Sequence, residues 1–131
     1  MKTNQEILDT LGKALIKKLY DRHLIHIHGV EPKVFSNSEK YKNLFAEFTG
    51  IKKYELEEYV KELLSGGLFE FLCLFEEQQA ERPGRFRLIY EEDGKQVDMV
   101  EISEMLKAEP IIENGWIDRF SEYAKISKEN K

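Results

Sequence analysis

Asp93-Gly94 stands between two runs of alternating apolar residues, and the alternation admits a single pairing register. Two residues that tolerate positive φ close a type I′ turn, whose twist matches that of the flanking strands. With Asp93 and Gly94 as the loop, Glu92 faces Lys95, Tyr90 faces Val97 and Leu88 faces Met99. Phe86, Leu88, Tyr90, Val97 and Met99 then share one face, and a slip of one residue would turn all of them over. The other face is mixed, with Arg87, Ile89, Glu91, Gln96, Asp98 and Val100. A lone hairpin is marginal in water, so the rest of the chain has to cover the apolar face.

That remainder reads as helix. Leu8, Leu11, Leu15 and Leu19 recur at three- and four-residue steps, widened by Ile7, Ala14 and Ile16, which is the stripe of a helix packed on one side. Thr3 or Asn4 can cap it and Glu6 suits its first turn; it is expected to run to about Arg22. Residues 24–28 are open between helix and strand, before Gly29 and Pro32. Ser36-Asn37-Ser38-Glu39 has the capping-box pattern and introduces a second helix with Tyr41, Leu44, Phe45 and Phe48, ending at Gly50. A third helix is expected over Lys53 to Ser65, stopped by Gly66-Gly67, and a buried fourth over Leu68 to Gln79. A short helix follows Ser103 and stops before Pro110; another starts near Trp116. The fold class is α+β: a single helix-rich domain of about five helices packed with a small antiparallel β-hairpin. It spans 1–131, with 125–131 as a frayed tail.

Composition supports one real core: 131 residues, 41% of them hydrophobic, suffice without metal or disulfide support. Cys73 is the only cysteine, so no intrachain disulfide forms, which fits a reducing compartment. Met1 to Tyr20 interleaves Lys13, Lys17 and Lys18 with apolar residues, unlike a signal peptide. The most apolar stretch, Leu68 to Phe75, is broken by Glu70 and far shorter than a membrane span. A cytoplasmic location and no membrane partner are the expectation. The net charge of −5 is uneven: residues 1–61 carry eleven Lys/Arg and nine Asp/Glu, residues 62–131 nine and sixteen.

Chemistry-bearing patterns are sparse. His23, His26 and His28 lie within six residues. On a helix His23 and His26 share a face, on a strand His26 and His28 do, and either pair could hold a transition metal with Asp21 or Glu31. The spacing matches no established zinc motif, so a metal-dependent enzyme is the alternative reading and no cofactor is expected. Phe71-Leu72-Cys73-Leu74-Phe75 gives the thiol an apolar setting instead of an activating one. There is no Gly-x-Ser-x-Gly elbow and no phosphate-binding glycine loop. Helices flanking Gly50 resemble a helix-turn-helix of a DNA-binding regulator. The second of these presents Glu55, Glu57, Glu58 and Glu62, which oppose phosphate, so no nucleic-acid partner is expected. What remains is protein recognition: a small intracellular protein-binding domain, of inhibitor or immunity type, covering an unidentified basic partner. Its candidate contacts are the hairpin tip Glu91, Glu92 and Asp93 and the aromatic terminal helix with Trp116, Arg119 and Tyr123. The same aromatic helix could instead close the core or support a homodimer.

Overall fold

The computed structural model describes residues 2–28, 39–46, 50–77 and 83–124. Helix α1 (Asn4–Leu15) opens on a capping box: Thr3 Oγ1 accepts from the Glu6 N–H at 3.2 Å, and the Glu6 carboxylate takes the Thr3 N–H. It continues through a π-helical turn, Ile16–Tyr20, into α2 (Asp21–His28). Residues 24–28 are therefore helical. In the wider turn the Asp21 N–H reaches back to the Ile16 carbonyl, and this shifts which side chains face inward. The fully buried line is Leu8, Gly12, Ile16, Tyr20 and Leu24, at four-residue steps, while Leu11, Leu15 and Leu19 flank it half-buried.

A 3-10 turn (Glu39–Tyr41) leads into α3 (Lys42–Phe45), much shorter than the helix expected there; the Ser36 capping position and Phe48 lie outside the described residues. Helix α4 (Gly50–Glu76) is the longest element, at 27 residues. It runs straight through Gly66-Gly67, so the expected third and fourth helices are one and the helix count is about four. Each glycine costs a helix about 1 kcal/mol relative to alanine. The stripe Val60, Leu64, Leu68 and Leu72 crosses the glycines without a break and packs into the core on both sides of them, and that packing outweighs the local penalty.

The hairpin forms as expected. Strands β1 (Ile89–Glu92) and β2 (Lys95–Asp98) pair antiparallel, with Glu92 opposite Lys95 and Tyr90 opposite Val97. Asp93 and Gly94 take φ of 51° and 79°, the pair of positive values that a type I′ turn requires. Met99 N–H donates to the Leu88 carbonyl at 2.9 Å. Met99 is buried, Leu88, Tyr90 and Val97 pack beside it, and Phe86 is exposed. A 3-10 turn, Met99–Ile102, follows β2, and a second, Leu106–Ala108, stands in place of the helix expected after Ser103. Asp98 caps the first, and the Glu76 side chain accepts from the Lys107 N–H in the second. Helix α5 (Trp116–Phe120) closes the chain against α1. Its Trp116 is fully buried over Gly12, where a Cβ would lie 2.5 Å from the indole Cδ1 and Cδ2. Only glycine lets the ring approach that close.

Candidate protein-binding surface

The six residues that the sequence points to as partner contacts divide sharply. Glu91 and Asp93 are exposed at the hairpin tip, and Glu92 beside them is half-buried. The tip rests near the start of α1, where the Lys2 ammonium stands 5.7 Å from the Tyr90 ring centroid. Trp116 and Tyr123, by contrast, are 0% and 5% exposed. Both are core side chains: Trp116 opens α5 facing inward, and the expected helix stops at Phe120, so Tyr123 follows it in a turn and packs into the core. Arg119 is held within the molecule: its guanidinium is 3.0 Å from Asp9, its Nε donates to the Asn114 carbonyl at 2.8 Å, and it lies over the Phe120 ring.

His23 and His26 share a face of α2, as helical spacing requires, and the side chain of His28, like Glu31, lies outside the described residues. His23 Nδ1 is 2.7 Å from the Leu19 carbonyl, a bond in which the ring N–H donates. The Asp21 carboxylate is committed elsewhere, accepting from Ser121 Oγ at 2.6 Å and from the Glu122 N–H at 3.0 Å. Among the described residues no three His, Cys, Asp or Glu side chains come together as a metal site. His23 and His26 instead line an apolar pocket of about 310 Å³ with Ile27, Tyr41, Leu44, Val60, Leu63 and Leu64.

Two buried groups, the Cys73 thiol and the Tyr20 phenol, are held in their neutral forms. Burial pushes the Cys73 thiol upward, which removes the thiolate that nucleophilic chemistry needs. Burial, helped by Asp21 and Glu58, raises Tyr20 well beyond the usual phenol range.

The most exposed apolar surface lies on α4, a helix whose sequence pattern points to the core. One side carries Val60, Leu64, Leu68 and Leu72 into the interior. Elsewhere on its circumference Tyr59, Leu63, Phe71 and Leu74 are 57%, 56%, 45% and 49% exposed. Between them Gly66 and Gly67 have open space where a side chain would stand. They floor a groove of about 670 Å³, lined by Leu63, Phe69 and Ile111 and by the carboxylates of Glu62 and Glu70. Leu63 belongs to both the groove and the histidine-lined pocket, so the apolar surface is continuous from α3 across α4 to Ile111. Large continuous apolar patches on a folded surface mark sites of contact.

Beyond its first turn, which carries Lys52 and Lys53, α4 is predominantly acidic. From Tyr54 to Glu77 the chain carries seven glutamates and a single cation, Lys61. Lys61 is buried and spent internally, with its ammonium 3.7 Å from Glu57, 3.5 Å from Glu58 and 3.3 Å from the Tyr123 carbonyl. Tyr59 and Leu63, four residues apart and beside the Val60 and Leu64 stripe, were the available signal. The helix holds more large apolar residues than one buried face can use.

Among the described residues no helix is long and apolar enough to cross a membrane. No protein-family model matches the chain, and no curated protein or solved structure matches it.

Proposed function

We propose that the protein is a small binding domain that covers a positively charged partner protein, in the manner of an inhibitor or immunity protein, and that the outer face of α4 is its main contact surface. The observation that carries this reading is the exposure of Tyr59, Leu63, Phe71 and Leu74 on one 27-residue helix. A helix of that length is about 40 Å long, enough to supply one side of an interface burying roughly 800 Å² per partner. Large apolar and aromatic groups at the centre of such a patch supply most of the binding energy. The acidic residues around them contribute chiefly to association rate and partner choice. The hairpin tip, with Glu91, Glu92 and Asp93, adds to the same negative field.

The test is affinity capture with the wild-type chain beside Tyr59→Glu/Leu63→Glu. Both positions are exposed, so the variant should keep its helical circular dichroism. A partner retained by the wild type and lost by the variant supports the assignment. Charge reversal at Glu91, Glu92 and Asp93 should slow association and flatten its salt dependence while leaving dissociation nearly unchanged. A partner held equally well by Tyr59→Glu/Leu63→Glu would place the contact elsewhere and refute the proposal.

A further inference from the structure

Resting on that reading, we infer that the groove over Gly66-Gly67 receives a basic amphipathic helix: an apolar stripe flanked by lysine or arginine. Three observations on α4 converge on this occupant. The groove floor has no side chains: a Cβ added at Gly66 or Gly67 would meet no neighbouring atom within 4 Å, and small residues let another backbone come near. Its lining is apolar along Leu63, Phe69 and Ile111, which matches the stripe of an amphipathic helix laid in a groove. Glu62 and Glu70, eight residues apart on the helix, place carboxylates along the same groove. At 1.5 Å of rise per residue they are separated by about 12 Å, a span that cations two turns apart on a docked helix can match. Among the described residues, the cation placed against a groove-lining ring is Lys107, with Nζ 5.7 Å from the Phe69 centroid. It is half-buried, leaving the exposed glutamates in excess.

Other occupants fit less well. A second copy of the chain would set the glutamates of one α4 against those of another, with Lys61 buried in both. An anionic membrane or a nucleic acid meets the same repulsion. An acidic peptide would add to it.

The probe is a synthetic helical peptide of leucine and lysine, roughly 18 residues long, with leucines at three- and four-residue steps. A leucine–glutamate peptide of the same pattern is its control, and binding to the full chain is read by fluorescence anisotropy near physiological salt. The lysine peptide should bind in the range of roughly 1–100 μM, the glutamate peptide should not, and sedimentation should show the free chain as a monomer. Glu62→Lys/Glu70→Lys should weaken binding about tenfold or more, whereas Glu91→Lys/Glu92→Lys on the hairpin should change it by less than about threefold. Gly67→Leu fills the groove at an open helical position, so it should weaken binding while preserving the circular dichroism. Equal losses from the groove and hairpin reversals would mean attraction by net charge alone and would overturn the inference. So would absence of lysine-peptide binding, or self-association abolished by Glu62→Lys/Glu70→Lys. If a native partner is lost on Tyr59→Glu/Leu63→Glu while the lysine peptide fails to bind, the groove assignment is wrong and the binding-domain reading stands. If neither depends on α4, both are wrong.

Discussion

Replacing Gly12 by alanine tests the tightest contact in the core. The added methyl would sit 2.5 Å from Cδ1 and Cδ2 of Trp116, more than about 1 Å inside the optimal separation of two carbon atoms. Trp116 is fully buried and cannot swing into solvent, so relief requires moving α5 or rotating the indole off its rotamer. Overpacking of this kind costs about 1–3 kcal/mol. Against it stands the gain of about 1 kcal/mol from alanine over glycine in a helix interior. The net expectation is a loss of up to about 2 kcal/mol, a fall of up to roughly 8 °C in melting temperature for a chain of this size, and in any case none of the stabilisation that alanine brings at an open helical site. Gly67→Ala supplies the internal control: the position is helical and open, so the propensity gain is unopposed and the protein should be stabilised by about 0.5–1 kcal/mol. Urea unfolding followed by emission of the single tryptophan reads both variants. Equal stabilisation by the two substitutions would refute the packing of α5 on α1.

Three further outcomes follow from the same core. Cys73, 6% exposed and with its thiol pushed up by burial, should react with a thiol reagent at least about a hundredfold slower in the native chain than in urea near pH 8; equal rates would show the site open. Asp21→Ala should cost about 2–4 kcal/mol by urea titration, since it strips the acceptor from Ser121 Oγ and the Glu122 N–H inside the fold, and Asp21→Asn should cost less because one acceptor survives. Asp9 is held below the usual carboxylate range by its hydrogen bond to Arg119, partly offset by burial. A depressed carboxylate stabilises the fold above its unfolded pKa of about 3.9 and loses that contribution as pH falls through the lower folded value. Both side chains are about one-third exposed, so Asp9→Asn should cost under about 1 kcal/mol at pH 7 and progressively less as pH falls below about 3.9; a deficit that does not shrink on acidification would remove the ion pair from the account.

How far the sequence could be read depended on whether local rules and packing agreed. The hairpin was readable to the residue because turn chemistry and alternation pointed to the same register, Glu92 opposite Lys95. The start of α1 was readable to within a residue, Thr3 or Asn4 as cap with Glu6 in the first turn; the structure chooses Thr3 and joins it to Glu6 in a capping box. The π turn at Ile16–Tyr20 was not readable: it has no residue signature here. Nor was the inner line, which is Gly12, Ile16 and Tyr20 with Leu11, Leu15 and Leu19 half-buried beside it. Gly66-Gly67 misled because paired glycines are a helix stop in isolation, whereas Leu64 and Leu68 on either side are both anchored in the core.

The interface candidate was hidden for a related reason. Aromatic content drew attention to Trp116 and Tyr123, yet a single tryptophan in a 131-residue chain is the largest piece available to fill a core, and Gly12 is shaped to admit it. On α4 the apolar residues are spread around the circumference, so no single stripe separates the inner face from the outer one. A helix apolar on all sides is ordinarily buried on all sides. This one is covered along Val60, Leu64, Leu68 and Leu72 and, among the described residues, open along Tyr59, Leu63 and Leu74. The excess could be counted from the sequence, but knowing which face remained open required the positions of the π turn at Ile16–Tyr20, of α2 and of the turn at Leu106–Ala108, which pack against this helix. The glutamates around the open face keep such a surface from associating with its own kind, and for the same reason they define the charge of what can cover it.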